Sequence, residues 1–318
     1  MVKEVLTITL NPALDIATAT ERLAPEIKLR CEAPAFDPGG GGINVARAIQ
    51  LLGGQASALI AIGGQAGAEL LSRLAMEGVR SIAFQGPGET RQSFSVIVRG
   101  EDTQYRFVMP GPSWAERDVA RALEAIDRAT SGGTLVVLSG SQPPGVAKDF
   151  PSILARHVAG REAALVVDTS GPALRHLAED PATPVFTLRM DDAEAEELAG
   201  RPLSDRLDTA RFAREIIDRG AAGNVIVARG ADGSVLVNAE GAWHARVPEV
   251  EVVSLVGAGD SFVGAYVLAV AEGRPLEQAL TRGVAAAAAA VMTNATELCR
   301  LEDVDALEAR ATLTPLDL

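Results

Sequence analysis

The sequence predicts an α/β protein with a mainly parallel central sheet, helices on both of its faces, and a small β-sheet projecting from it as a lid. Three observations lead there. Short β-branched apolar runs alternate with longer stretches of helical spacing, the signature of strand–helix–strand units. Two segments, residues 11–37 and 91–109, break that rhythm without helical spacing of their own. The composition, 47% hydrophobic and 22% charged over 318 residues, supplies apolar surface for a large core and excludes a disordered chain.

In chain order, Leu6–Leu10 is the first expected strand, and residues 11–37, rich in Pro, Thr and Ala, go to the lid. Ile43–Leu52 is an expected helix because Val45, Ile49 and Leu52 recur at i, i+4 and i+7 before Gly53-Gly54 stops it. Ala58–Ile62 is a strand. Residues 91–109 read as a hairpin in which Ser93–Arg99 and Gln104–Val108 flank a Gly100-Glu101-Asp102 turn. Leu135–Leu138, Leu165–Asp168, Val185–Leu188 and Val225–Val227 continue the sheet. Leu276, Leu280, Val284, Ala287 and Val291 mark the core face of a long late helix. Residues 1–10, 38–90 and 110–318 therefore form the core domain, and 11–37 with 91–109 form the lid.

Charge and residue counts narrow the function. The net charge of −13 argues against nucleic acid and anionic membranes as partners, because both require an excess of cations. Cys31 and Cys299 cannot build a disulfide framework or a zinc site, and His157, His176 and His244 match no metal spacing. The first apolar run is too short for a signal peptide and no segment has the length of a membrane span, so a cytoplasmic protein is expected.

Anion-binding devices can be tested by elimination. A P-loop needs Gly-Lys-Ser/Thr, but Val2, Ile27 and Ala147 precede the three lysines, Lys3, Lys28 and Lys148. A dinucleotide fingerprint fails at Gly63-Gly64-Gln65-Ala66-Gly67 on spacing and on the missing acidic partner. Two glycine clusters survive. Gly39-Gly40-Gly41-Gly42-Ile43-Asn44 opens a helix, where bare backbone permits close approach to a ligand and Asn44 suits sugar hydroxyls. Val256-Gly257-Ala258-Gly259-Asp260 opens another helix, patterned by Phe262, Tyr266 and Ala269. There the amides of Gly257, Ala258 and Gly259 can form an anion hole. Asp260 is either a helix cap or a base for an attacking alcohol. A cap alone does not require glycines on both sides of Ala258.

With these clusters in view, the chain resembles the ribokinase-type (PfkB) sugar kinases through most of its length, and within them the minor 6-phosphofructokinase branch. The resemblance rests on Thr9-Leu10-Asn11-Pro12-Ala13-Leu14-Asp15, Lys28-Leu29-Arg30-Cys31, and Pro38 through Arg47. It extends to Thr90-Arg91-Gln92, Gln104 through Gly111, Ser139 through Gly145, and Gly257-Ala258-Gly259-Asp260. It implies a ribokinase-like three-layer fold and transfer of phosphate from ATP, with Mg²⁺, to the C1 hydroxyl of fructose 6-phosphate. Asp260 would be the base and Gly257, Ala258 and Gly259 the anion hole. Asp15, Gly40, Gly41 and Asn44 would meet the sugar hydroxyls, and Lys28, Arg91, Arg106 and Ser141 the sugar phosphate. The same resemblance implies a homodimer formed through the lids.

The nucleotide half, implied at Arg189, Asp191, Gly230, Gly233 and Thr293 with Glu194 for the metal, departs from the family pattern. Arg189 and Asp191 replace its Lys and Asn, Ala228 a Ser or Thr, Thr293 an Asn near the adenine, and Ser254-Leu255 its Asp-Thr. Two alternatives follow: a kinase for fructose 1-phosphate or tagatose 6-phosphate, and a sugar-phosphate-binding protein with an impaired nucleotide site.

Overall fold

A computed structural model describes residues 2–101, 103–294 and 297–318, so that the expected turn residue Asp102 lies outside it. Its strands are β1 Val5–Thr9, β2 Ala13–Thr20, β3 Ala35–Gly39, β4 Ser57–Ile62, β5 Arg80–Gln85, β6 Arg91–Val98 and β7 Thr103–Val108. They continue with β8 Leu135–Ser139, β9 Ala164–Asp168, β10 Val185–Met190, β11 Ala222–Ala228, β12 Ser234–Asn238, β13 Gly241–Arg246 and β14 Thr312–Pro315.

Ten strands form the large sheet in the order β5-β4-β1-β8-β9-β10-β11-β12-β13-β14. It is parallel from β5 to β11 and antiparallel beyond. The chain runs outward from β1 through β4 to β5, then returns to lay β8 on the other side of β1. That reversal opens a crevice at the carboxyl ends of β1 and β8, the place where open α/β sheets bind ligands.

The inner strands are buried on both faces, as expected for a parallel sheet, while the edge strands β5 and β14 are not. Along β8, Val136 and Leu138 point into one core while Leu135 and Val137 point into the other. The second core is filled by helices 41–51, 258–271 and 276–291. Helix 258–271 is covered by the sheet and by both neighbouring helices, so Ser261 through Ala271 are all buried. Its sequence shows no polar stripe for that reason. Tyr266 carries its hydroxyl inside and pairs it with Thr187 Oγ1 at 3.0 Å.

The long late helix spans Leu276–Val291, but its buried face differs from the expected one. Ala279, Leu280, Gly283, Val284, Ala285, Ala286, Ala289 and Ala290 pack inward, while Ala287 and Val291 are only partly covered. Alanine's small side chain lets the helix rotate its densest face onto the core.

The small sheet has the order β3-β2-β6-β7, and its central pair β2–β6 is parallel, from Ala13↔Arg91 to Thr20↔Val98. The expected hairpin is present as β6 and β7, in register Ser93↔Val108 to Val98↔Thr103. Strand β3 runs on to Gly39, past the break placed at residue 37, so the sheet leads straight into the glycine cluster. Phe94 and Phe107 pair across β6–β7 and are exposed, as is Tyr105 two positions along. No helix among the described residues is long and apolar enough to cross a membrane.

Gly264 fixes how closely helices 41–51 and 258–271 approach, since a Cβ there would lie 2.8 Å from Ala48 Cβ and 3.0 Å from the Val45 carbonyl. Gly264→Val is expected to destabilise the fold by about 1–3 kcal/mol through overpacking. The measurement is the urea midpoint at unchanged m-value, and an unshifted midpoint would show that the helices can part freely.

Candidate active site

The first glycine cluster is shaped mainly by packing. A Cβ on Gly39 would sit 2.2 Å from Asp15 Oδ2, on Gly41 2.5 Å from Ser139 Oγ, and on Gly42 2.4 Å from the Ile8 carbonyl. Gly40, at φ +125°, adopts a conformation that side chains rarely take. These contacts press the start of helix 41–51 against the ends of β1 and β8. Of the two glycines expected to meet sugar, Gly40 lines a cavity, whereas Gly41 is packed on Ser139 and Gly140.

The second cluster resolves the choice about Asp260. Gly257, at φ +79°, is the N-cap of helix 258–271, and Asp260 is the helix's third residue. The Asp260 carboxyl makes no capping bond; its Oδ2 accepts from Asn44 Nδ2 at 2.9 Å. The first intrahelical donor is the Ser261 amide, to the Gly257 carbonyl at 2.8 Å, so the amides before it have no partner within the helix.

Two cavities meet at this turn. One, of about 350 Å³, lies between the core and the small sheet and is lined by Asp15, Gly40, Asn44, Arg91, Arg106, Gly257 and Asp260. The other, of about 450 Å³, is lined by Arg189, Asp191, Gly230, Gly233, Ala258 and Gly259, with Phe262, Val284, Ala287 and Val291 as an apolar wall. The partly covered face of helix 276–291 is thus the side of a cavity. Residues 257–260 stand between the two spaces.

Burial pushes the Asp260 carboxyl up to about 7, and the nearby Asp168 adds to the shift, against the opposing effects of Asn44, Arg189 and Ser139. Burial likewise raises Asp15, with Arg91 and Arg106 pulling the other way. Arg91 is held in place by the Asn11 and Met109 carbonyls at 3.4 and 3.3 Å and by Ser93 Oγ at 3.2 Å. Beneath the turn, Ser139 Oγ donates to Asp168 Oδ2 at 3.2 Å and Arg189 Nη1 donates to Asp168 Oδ1 at 3.0 Å.

Besides Gly41, four expected site residues line neither cavity. Lys28 is exposed on the irregular loop between β2 and β3, outside both cavities. Ser141 is exposed past the end of β8 and accepts from Asn11 Nδ2 at 3.4 Å. Thr293 is buried, and its hydroxyl donates to the Ala290 carbonyl at 2.8 Å, which holds a turn instead of lining the second cavity. Glu194 closes a capping box: Asp191 Oδ1 accepts from the Glu194 amide, and Glu194 Oε2 accepts from the Asp191 amide, both at 2.9 Å.

Among the described residues no cluster of three or more His, Cys, Asp or Glu side chains could hold a metal alone. The capping box still leaves Asp191 Oδ2 and Glu194 Oε1 as hard oxygen donors. That set fits Mg²⁺, which keeps its waters and is typically held by one or two carboxylates together with phosphates.

Sequence reasoning missed Arg47, Asp37, Ser139 and Asp168. Arg47 follows Asn44 by three positions on one helix and was legible from that spacing. Ser139 and Asp168 end adjacent parallel strands in register, at the carboxyl edge where ligands gather.

The profile of the pfkB family carbohydrate kinases matches residues 8–303. This chain belongs to that family. It is 40% identical over 305 residues to the ATP-dependent 6-phosphofructokinase isozyme 2 of Escherichia coli, covering 96% of this chain and 98% of that one. To the enzyme of the same name from Mycobacterium tuberculosis it is 38% identical over 301 residues, covering 95% and 88%. The crystal structure of Escherichia coli phosphofructokinase-2 in complex with fructose-6-phosphate superposes with a TM-score of 0.88 at 39% identity, covering 97% and 99% of the two chains.

In this PfkB chain the raised Asp260 has a consequence for stability. An unfolded aspartate titrates near 3.8 and the folded one near 7, so folding binds a proton between those values. Stability contributed by the neutral carboxyl is lost as pH rises from about 4 to 7 and stays lost above. Asp260→Asn is therefore expected to raise the denaturant midpoint above wild type at pH 8, with the gap closing towards pH 4. A gap independent of pH would overturn this assignment.

Proposed function

We propose that this chain phosphorylates fructose 6-phosphate at its C1 hydroxyl with ATP. The observation that carries the reading is the placement of Asp260 and its neighbouring amides on the wall between a polar, arginine-lined cavity and a largely apolar one. The sugar phosphate occupies the first, its 6-phosphate against Arg91 and Arg106 and its hydroxyls against Asp15, Gly40 and Asn44. Charge-assisted arginine contacts are the strong ones available to a dianion in a protein of net charge −13. The adenine lies against Phe262, Val284, Ala287 and Val291.

Asp260 accepts the C1 hydroxyl proton as the oxygen bonds to the γ-phosphorus. The bond from that phosphorus to the β-bridging oxygen breaks and ADP leaves. Charge developing on the transferring group is met by the open amides at the start of helix 258–271, whose dipole adds in the same sense. Mg²⁺, next to Asp191 and Glu194, would neutralise the phosphates. The small sheet covers the first cavity and excludes water from it.

The alternative of an impaired nucleotide site is weakened by the second cavity, which retains room and apolar lining despite Ala228 and Arg189. The direct test is coupled ADP release over fructose 6-phosphate, fructose 1-phosphate and tagatose 6-phosphate, and fructose 6-phosphate is expected to give the highest kcat/KM. Asp260→Asn is expected to lose about 10²–10⁴-fold in kcat, the worth of a general base, while still binding the sugar phosphate. Turnover near wild type would remove Asp260 from the mechanism.

We also infer that the protein is a homodimer joined through the small sheets. Phe94, Phe107 and Tyr105, at 38, 49 and 39% exposure, form an apolar strip that a second copy would cover. Phe107→Asp is expected to yield a monomer in analytical ultracentrifugation; an unchanged mass would place any assembly on another surface.

A further inference from the structure

The phosphotransfer scheme uses Asn44 only as a contact for sugar, yet Asn44 Nδ2 already donates to Asp260 Oδ2 at 2.9 Å. An asparagine amide has two ends of nearly equal shape, and only its partners decide which one faces a given group. Turned over, Asn44 would oppose its carbonyl oxygen to the Asp260 carboxylate. Something must hold the productive orientation.

Arg47 lies three residues further along the same helix and on the same face. Its Nη1 donates to Asn44 Oδ1 at 3.4 Å and to the Pro38 carbonyl at 3.4 Å. A cation at that distance rejects the amide's NH₂ end and attracts its oxygen. The rest of the guanidinium is taken by Glu77, with Nε to Oε2 at 2.5 Å and Nη2 to Oε1 at 3.1 Å. Arg47 is well shielded, its side chain 12% exposed, whereas Glu77 is 35% exposed. Glu77 is also the C-cap of helix 64–76, where the helix dipole disfavours a carboxylate, so its counter-charge has to come from outside that helix.

We propose that Glu77 and Arg47 are positioning residues which, through Asn44, hold the Asp260 carboxylate in line with the reacting hydroxyl. The relay joins two helices that are each packed on the sheet, so its geometry is set by rigid elements. It engages Asp260 Oδ2, and the Ser139 side chain also hydrogen-bonds this carboxyl. Other charges also face this carboxylate or its cavity. Asp168 and Arg189 lie beneath it, from the ends of β9 and β10. Asp15, Asp37, Arg91 and Arg106 belong to the small sheet. Of these groups, the relay alone works through Asn44.

The inference rests on Asp260 being the base, and the experiment separates the two ideas. Glu77→Gln, at the surface, keeps the side chain's shape while removing its charge and one of the two oxygens that accept from Arg47. It is expected to lower kcat roughly tenfold, as a misplaced reacting group does, with KM for fructose 6-phosphate within about twofold. Loss of the Asn44 donation favours the neutral carboxyl, so the acidic limb of the kcat–pH profile should move to higher pH. Arg47→Lys, which lacks the planar fork, should behave alike. On an Asn44→Ala background Glu77→Gln should add nothing further. A raised KM with intact kcat would make Arg47 a substrate ligand, and a lowered melting temperature with an unmoved pH limb would make the pair purely structural. Either result overturns the relay, as does additivity with Asn44→Ala. An Asp260→Asn enzyme that still turns over would instead remove the base itself.

Discussion

The hydrogen bond between Asn44 and Asp260 joins residues 216 positions apart and depends on two helix starts arriving at one point of the sheet. Helix 41–51 can reach the ends of β1 and β8 only because Gly41 and Gly42 have no side chains to hold it off. Helix 258–271 can lie close to it only because Gly264 meets Val45 and Ala48 without a Cβ. The bond length is therefore an outcome of packing that occurs within about one helical turn of each partner. Close-packed interiors transmit such displacements with little slack, which is why Gly39, Gly41, Gly42 and Gly264 face protein while Gly40, Gly257 and Gly259 line the cavities.

The same convergence decides where charge can be tolerated. The chain carries 42 acidic and 29 basic residues, yet three arginines, Arg47, Arg91 and Arg106, line one cavity. Asp15 there faces Arg91 and Arg106, and Asp168 beneath the turn takes Arg189. Asp260 is treated differently. Its closest donor is the neutral Asn44, and its burial outweighs the pull of Arg189. A carboxylate fully paired with an arginine would be too weak a base, and one left without any donor would be poorly aimed. An amide partner avoids both faults, since it directs one oxygen without a full counter-charge.

Most of the parallel strands were legible in the sequence because they bury both faces and so read as short apolar runs, whereas the parallel edge strand β5, largely uncovered, was not. Val225–Val227 was found for that reason, while β13 and β14 at the antiparallel edge were not, having Gly241, Ala242, His244, Thr312 and Pro315 in place of such runs. Asp260 and Asn44 were legible because each lies in a short glycine-rich string whose chemistry is local, and Arg91 and Arg106 through the family resemblance. Thr293, Ser141 and Lys28 stand outside both cavities, and each lies in an irregular segment, where backbone course decides what a side chain meets and spacing carries no information about it. Helix 276–291 shows another limit. A run of alanines from Ala285 to Ala290 gives periodicity nothing to measure, so the division between core face and cavity face is set by neighbouring helices.

The departures at Arg189 and Asp191 follow from that geometry together. The family pattern given by the resemblance has Lys and Asn at these positions, and Asp191 adds a carboxylate to the wall of the second cavity. In this fold Asp191 begins helix 192–199, and its Oδ1 accepts the Glu194 amide at 2.9 Å. The helix dipole and that bond both favour negative charge at this position. Arg189 meanwhile directs one nitrogen to Asp168, stands 5.9 Å from the Phe262 ring, and passes under Gly259, where a Cβ would come within 3.3 Å of it. A planar fork can serve carboxylate and ring at once, which a lysine ammonium cannot. The pair thus keeps a cation under the Gly257–Asp260 turn and confines the added anion to a helix end.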